Sequence, residues 1–198
     1  MSLKEAIAFL AFAVVAAITP GPGNLILTST AAAVGLIRGL RALLGQAIGM
    51  GVMLSVTGFG LASFLLRSGL ALQLLKWCGI GVLLWLAVQL ARAGPHDAQA
   101  DMVHFGFWQA AAFQWVNPKA WLVCAAAISA FMPAGGRNAL LRAGLLGLLM
   151  TAAALPSCFV WLAAGGTMRR LLRSERASRA FNLTMAALLA GSILLLIR

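Results

Sequence analysis

Thr19-Pro20-Gly21-Pro22-Gly23-Asn24 interrupts an apolar run, Ala6 to Ile37, in which no side chain is charged. As one straight helix that run would be about 48 Å long at about 1.5 Å per residue, far beyond the about 30 Å of hydrocarbon in a bilayer. It must tilt steeply or break. Two prolines remove two backbone donors and clash with the preceding turn, while the glycines admit unusual dihedrals, so the run breaks here. A new half-helix starts at Pro22 or shortly after.

Further neutral runs go from Ala42 to Leu66, Trp77 to Ala91, Ala120 to Gly136, Ala143 to Met168 and Ala180 to Ile197. The chain has 198 residues, 62% hydrophobic and 10% charged, with a mean hydropathy of +0.96. A soluble domain carries about 25% charged residues, and the surplus of apolar side chains requires lipid. Lys76 snorkels to the headgroups from near a helix end, and the fourth run extends back past Lys119 to about Gly106. The expectation is an all-α polytopic membrane protein with six spans, roughly 6–34, 42–66, 69–91, 107–132, 143–166 and 178–197. They form a single membrane domain over 1–198: a three-helix half over 1–93, a polar loop over 94–106 and a second half over 107–198.

The formal net charge is +11. The arginines sit between hydrophobic spans and share no soluble face, which excludes nucleic acid and points to membrane orientation. With the N-terminus outside, Arg38, Arg41, Arg92, Arg169, Arg170, Arg173, Arg176 and Arg179 are cytoplasmic, against Lys4, Arg67, Lys76, Arg137, Arg142 and Arg198. The arginine-rich fifth loop decides the balance, and both termini are placed on the non-cytoplasmic side of a cell (inner) membrane. Lys4 before an apolar stretch has the outline of a signal peptide, but no A-x-A precedes Thr19 and the run resumes at Leu25. Cys78, Cys124 and Cys158 are widely spaced and read as small packing residues.

The fourth span contains Gln114-Trp115-Val116-Asn117-Pro118-Lys119-Ala120-Trp121. Asn followed by Pro has the form of an N-cap and first helical position, so a helix start falls in mid-membrane. Irregular backbone at that depth is tolerated where protein buries it or water reaches it, and both breaks should face one cavity. A shift of 98 residues carries Pro20 onto Pro118, and a shift of 99 carries Arg38 onto Arg137 and Gly45 onto Gly144. The chain thus reads as two three-helix halves. Three being odd, they form an inverted repeat whose interrupted first and fourth helices meet near the midplane. A pair of ordinary proline kinks in an apolar sequence is the plainer alternative.

These residues resemble the lysine exporter family, which also contains the homoserine and threonine resistance proteins, over nearly the whole chain. Thr19-Pro20-Gly21-Pro22 leads to Gly35, Gly39, Gly45, Gly49 and Gly60-Leu61 as in the family's opening pattern, and Asn117-Pro118-Lys119-Ala120 is also similar. Gln114-Trp115-Val116-Asn117 and Ala127-Ile128-Ser129-Ala130-Phe131-Met132-Pro133 look most like its cysteine and O-acetylserine exporter branch. Two positions depart from the family. Gly23 stands where relatives usually have their first asparagine, leaving Asn24 to supply that amide, and Met50 stands where many carry an aspartate. The resemblance implies export of amino acids from the cytoplasm, driven by the proton gradient.

Lys119 is the one strongly acidic or basic side chain deep inside a span, and such a residue is a functional candidate by default. In the first turn of a helix its cation is opposed by the macrodipole, so a substrate carboxylate between the two would relieve both. The alternative is that it snorkels along its own helix. All four acids, Glu5, Asp97, Asp101 and Glu175, lie near span ends or in loops, which argues for a cargo with a neutral side chain. The substrate ammonium would rest on unwound carbonyls or half-helix C-terminal ends. Proton coupling runs through Lys119 or through the substrate itself.

The candidate substrate-binding set is Thr19, Pro20, Gly21, Pro22, Asn24, Gln114, Asn117, Pro118, Lys119 and Trp121. Gln46, Ser55, Thr57, Gln89 and Asn182 are other polar groups at membrane depth: some of them are expected to line the pathway, while each one singly reads as an interhelical hydrogen-bonding group. Gly45 with Gly49, and Gly144 with Gly147 and Thr151, keep helix faces small for close packing. The rival functions are an ion or metal transporter and a membrane-embedded enzyme. His96, Asp97, Asp101 and His104 are metal-ligand types but lack a firm spacing and read as a solvated loop. The spans hold neither a nucleophile with a base nor paired acids. No cofactor and no metal are expected, the partners are a small amino acid and the lipid bilayer, and a homo-oligomer is left open.

Overall fold

The computed structural model describes residues 1–61, 68–92, 104–132, 138–172 and 174–197. Every regular element among them is helical: α1 (Leu3–Ile18), α2 (Pro22–Val34), α3 (Leu36–Val56), α4 (Gly69–Arg92), α5 (Phe107–Val116), α6 (Pro118–Phe131), α7 (Ala139–Leu171) and α8 (Glu175–Ile197). A π-helical turn, Thr57–Leu61, prolongs α3. His96, Asp97 and Asp101 lie outside the described residues, as do Arg67, Pro133 and Arg137.

α3, α4 and α7 are each long and apolar enough to cross a membrane, and α1 with α2, bent by 58° at their break, are so only when taken together as one broken span. Exposed apolar side chains, among them Val15, Ile37, Trp77, Trp85, Leu148 and Val160, cover the outer faces of these helices. So large an apolar surface is a lipid-facing one.

The helices outrun the neutral segments of the sequence. α3 starts at Leu36 and takes Arg38 and Arg41 into its first turns, while α7 contains Arg142 and runs on to Leu171. The stretch expected as a fifth loop over 169–179 is mainly two helix ends, since α7 stops at Leu171 and α8 resumes at Glu175. The reason is that a helix extends past the hydrocarbon into the headgroup zone, where arginine is well solvated.

Local chemistry sets the ends. Ser2 and Glu5 form a reciprocal cap, with Glu5 N donating to Ser2 Oγ at 3.3 Å and Ser2 N donating to Glu5 Oε2 at 2.7 Å. Gly35 joins α2 to α3 in a single residue at φ 87°, a conformation open to glycine. α3 is central, packed on α7, α5 and α2; α7 also packs along α1 and α2, and α4 pairs with α8. Where α3 crosses α5, a Cβ on Gly45 would overlap the Phe107 carbonyl and one on Gly49 would meet Ala111 Cα at 2.7 Å. Gly51 and Gly147 give α3 and α7 the same closeness. Gly144, expected to share that role, faces open space.

Candidate functional site

α1 ends because Pro20 follows: Thr19 sits in extended backbone at φ −60°, ψ 134°. Gly21 caps α2 without a side chain and Pro22 takes the first helical position. The second break is tighter. Asn117 alone separates α5 from α6, and its Oδ1 accepts from Lys119 N at 3.1 Å, with Pro118 next to it at the first position. The two breaks face one another across a cavity enclosing about 20 Å³ of free space, room for roughly one water molecule. Gly21, Gly23 and Asn24 line it from the first break, Gln114, Asn117 and Lys119 from the second, and Gln46 and Cys158 from α3 and α7.

Lys119, half-buried, crosses this cavity. Its ammonium donates to the Thr19 carbonyl and lies 3.5 Å from the Pro20 carbonyl. The macrodipole explains the direction: the cation leaves the positive end of α6 for the negative end of α1. Its stem rests on Gly21, where a Cβ would stand 2.6 Å from Lys119 Cδ.

Asn24 braces the same helix end, with Nδ2 donating to Ala17 O at 2.8 Å and to Thr19 O at 2.9 Å. Gln46 fixes its orientation, Nε2 donating to Asn24 Oδ1 at 3.1 Å and to Cys158 Sγ at 3.3 Å. Trp161 Nε1 donates to Ile18 O at 2.9 Å, so three successive carbonyls at the end of α1 have partners. Gln46 also fills the space beside Gly23, where a Cβ would meet its Oε1 at 2.9 Å. An amide from α3 thus stands where a side chain at position 23 would project.

Of the ten residues singled out from the sequence, five line the cavity: Gly21, Asn24, Gln114, Asn117 and Lys119. Thr19 and Pro20 contribute carbonyls, the Thr19 hydroxyl being turned back onto Val15 O at 2.5 Å. Pro22 and Pro118 start helices. Trp121 does not line the cavity; its Nε1 donates to Trp115 O at 2.8 Å and its ring meets that of Trp115 at 6.2 Å. Gln46, one of the polar groups of which some were expected on the pathway, and Cys158, read as a packing residue, also line it. Their signal was polarity at membrane depth on helices rich in small residues.

The family model described as LysE type translocator matches residues 14–198. The cysteine/O-acetylserine efflux protein of Klebsiella pneumoniae subsp. pneumoniae is 31% identical over 182 residues, 92% of this chain and 91% of that protein. The protein of that name from Escherichia coli O1:K1 / APEC is 30% identical over 183 residues, 92% of each. One from Salmonella typhimurium is 33% identical over 126 residues, 63% of this chain and 64% of that protein. No solved structure matches the chain. With a match over all but its first residues and a helix set fit for a bilayer, the chain belongs to the LysE type translocator family and is an integral membrane transporter, not an enzyme.

Proposed function

We propose that this protein exports small neutral, zwitterionic amino acids or close derivatives from the cytoplasm, by proton-coupled antiport. The observation that carries this reading is Lys119 crossing a cavity whose lining, among the described residues, contains no carboxylate. Such a site offers a counter-charge to the α-carboxylate and none to a cationic side chain. The first turn of α2, which has no side-chain cap, adds backbone donors on the anion side. Relatives named for cysteine and O-acetylserine efflux support a small neutral cargo.

The site sits in six spans built as two inverted three-helix repeats, with α1/α2 and α5/α6 as the interrupted members. Helix contacts support this: α3 packs on α7 and α4 on α8, as repeat mates about a two-fold axis would, and α3 on α5 mirrors α7 on α1. The protein lies in the inner membrane with both termini on the non-cytoplasmic side, the basic helix ends around 169–179 being inside.

Counterflow in proteoliposomes with labelled amino acids, with and without an imposed pH gradient, tests the function. Exchange of small neutral amino acids accelerated by the gradient is expected. Exchange confined to lysine and arginine, or indifferent to pH, would overturn the cargo or the coupling respectively.

A further inference from the structure

Lys119 does more at this site than wait for a carboxylate. Its ammonium already occupies acceptors at the end of α1, the Thr19 and Pro20 carbonyls. A primary ammonium held by backbone carbonyls at a helix C-terminal end is the environment that the ammonium of an amino acid would need. The lone pairs at Thr19 O are already in use, since Asn24 Nδ2 takes one at 2.9 Å and Lys119 another. A second ammonium can bond there only after Lys119 leaves. The cavity agrees, because the lysine stem lies in the space Gly21 leaves and about 20 Å³ remains.

We infer that the Thr19 and Pro20 carbonyls are the receptor for the substrate's primary ammonium group, and that Lys119 is its tethered stand-in in the empty carrier. This rests on the amino-acid reading above and adds an exchange to it. The arriving ammonium displaces Lys119 Nζ from the end of α1, and the freed lysine turns to the carboxylate of the same molecule. One zwitterion satisfies both partners of the broken contact. An anion lacking the ammonium leaves Lys119 on its carbonyls, and an amine lacking the carboxylate leaves the lysine facing its own helix N-terminus. The exchange therefore selects for molecules carrying both charges.

The test uses purified full-length protein in detergent and the probes n-propylammonium chloride and tetramethylammonium chloride, read by thermal unfolding and tryptophan fluorescence, since Trp161 bonds beside the break. In Lys119→Ala the positions that the ammonium holds on these carbonyls are vacant, Asn24 still bonding Thr19 O. Propylammonium should then raise Tm saturably, by a few degrees once well above its Kd. Wild type should need at least tenfold more, because its own lysine competes at an effective concentration of about millimolar or above. Tetramethylammonium, with no N–H, should do neither. Lys119→Ser vacates the same acceptors with a residue suited to a helix start and serves where the alanine variant does not fold. Equal responses in variant and wild type, or equal effects of the two ammonium salts, overturn the inference. Amine binding in protein that exchanges no amino acid would sink the export reading and keep the receptor; exchange without amine binding would do the reverse.

Discussion

The two breaks are built from the same residue types and do opposite things. At the second, Asn117 spends its side chain on its own helix, capping Lys119 N, and the gap in the helix is a single residue. At the first, α2 has no side-chain cap and the neighbouring asparagine points backward, its Nδ2 bonding the carbonyls at the end of α1. One break is closed on itself and sends out a cation. The other gathers acceptors at a helix C-terminal end and leaves donors unused at the next helix start. Facing each other, they are complementary rather than alike, and in the function proposed above each break takes one charge of a zwitterion.

The strongest way to break this comparison is to remove the cation. Lys119→Met keeps most of the stem against Gly21 and loses the ammonium. Counterflow should fall about 10- to 100-fold, the worth of one charge-assisted hydrogen bond at about 1.5–3 kcal/mol. Lys119→Arg should recover part, since a planar guanidinium does not replace a point-charge ammonium. The folded protein should be nearly as heat-stable as wild type, because Thr19 O keeps Asn24 as a partner and the N-terminus of α6 is relieved of a like charge. A Met variant that exchanges normally would reduce the lysine to a packing residue.

Next in size is a test of how far the two halves correspond. Gly45 and Gly144 align under the 99-residue shift, yet the first lies against the Phe107 carbonyl and the second faces open space. Gly45→Ala should therefore destabilise by about 1–3 kcal/mol through overpacking against backbone. Gly144→Ala should be neutral or stabilise by up to about 1 kcal/mol through helix propensity. Thermal unfolding of the two purified variants decides it. Equal losses would mean that α7 meets a partner helix at Gly144 much as α3 does at Gly45.

How much of this was legible follows from the range of each interaction. Pro20, Pro22, Asn117 and Pro118 act within a turn of themselves, so the break positions could be read from six-residue motifs. The destination of Lys119 was not, because its partners lie 99 and 100 residues away and are carbonyls that every residue carries. Gln46 and Cys158 looked like any polar or small group inside a span. The bond from Gln46 to Asn24, 22 residues off, depends on how α3 turns back along α2. By its spacing Trp121 would share a face with Gln114 and Asn117 on one continuous helix, but the helix breaks at Asn117, and the end of α5 offers Trp115 O to its indole and takes it out of the lining. Helix ends were misjudged where charge was taken as a boundary, as at Arg38 and Arg142, although Arg142 pairs with Glu5 at 2.9 Å and ties the start of α7 to that of α1.

The smallest effect separates the two asparagines themselves. Asn117→Ala removes one cap, and such caps contribute about 1 kcal/mol. Asn24→Ala removes more: it is buried, donates to Ala17 O and Thr19 O, and accepts from Gln46. Its loss leaves the Gln46 amide and the Ala17 carbonyl short of a partner, a cost of about 1–3 kcal/mol. In thermal unfolding Asn24→Ala should be the less stable by about 1 kcal/mol, a margin that a double variant can check. The two residues sit on opposite breaks and share no hydrogen-bond partner, so their effects should add to within about 0.5 kcal/mol if each serves its own helix end. A clear shortfall from additivity would mean that the breaks are energetically one unit already joined through Lys119, and that the contact across the cavity contributes to holding the fold as well as to receiving the cargo.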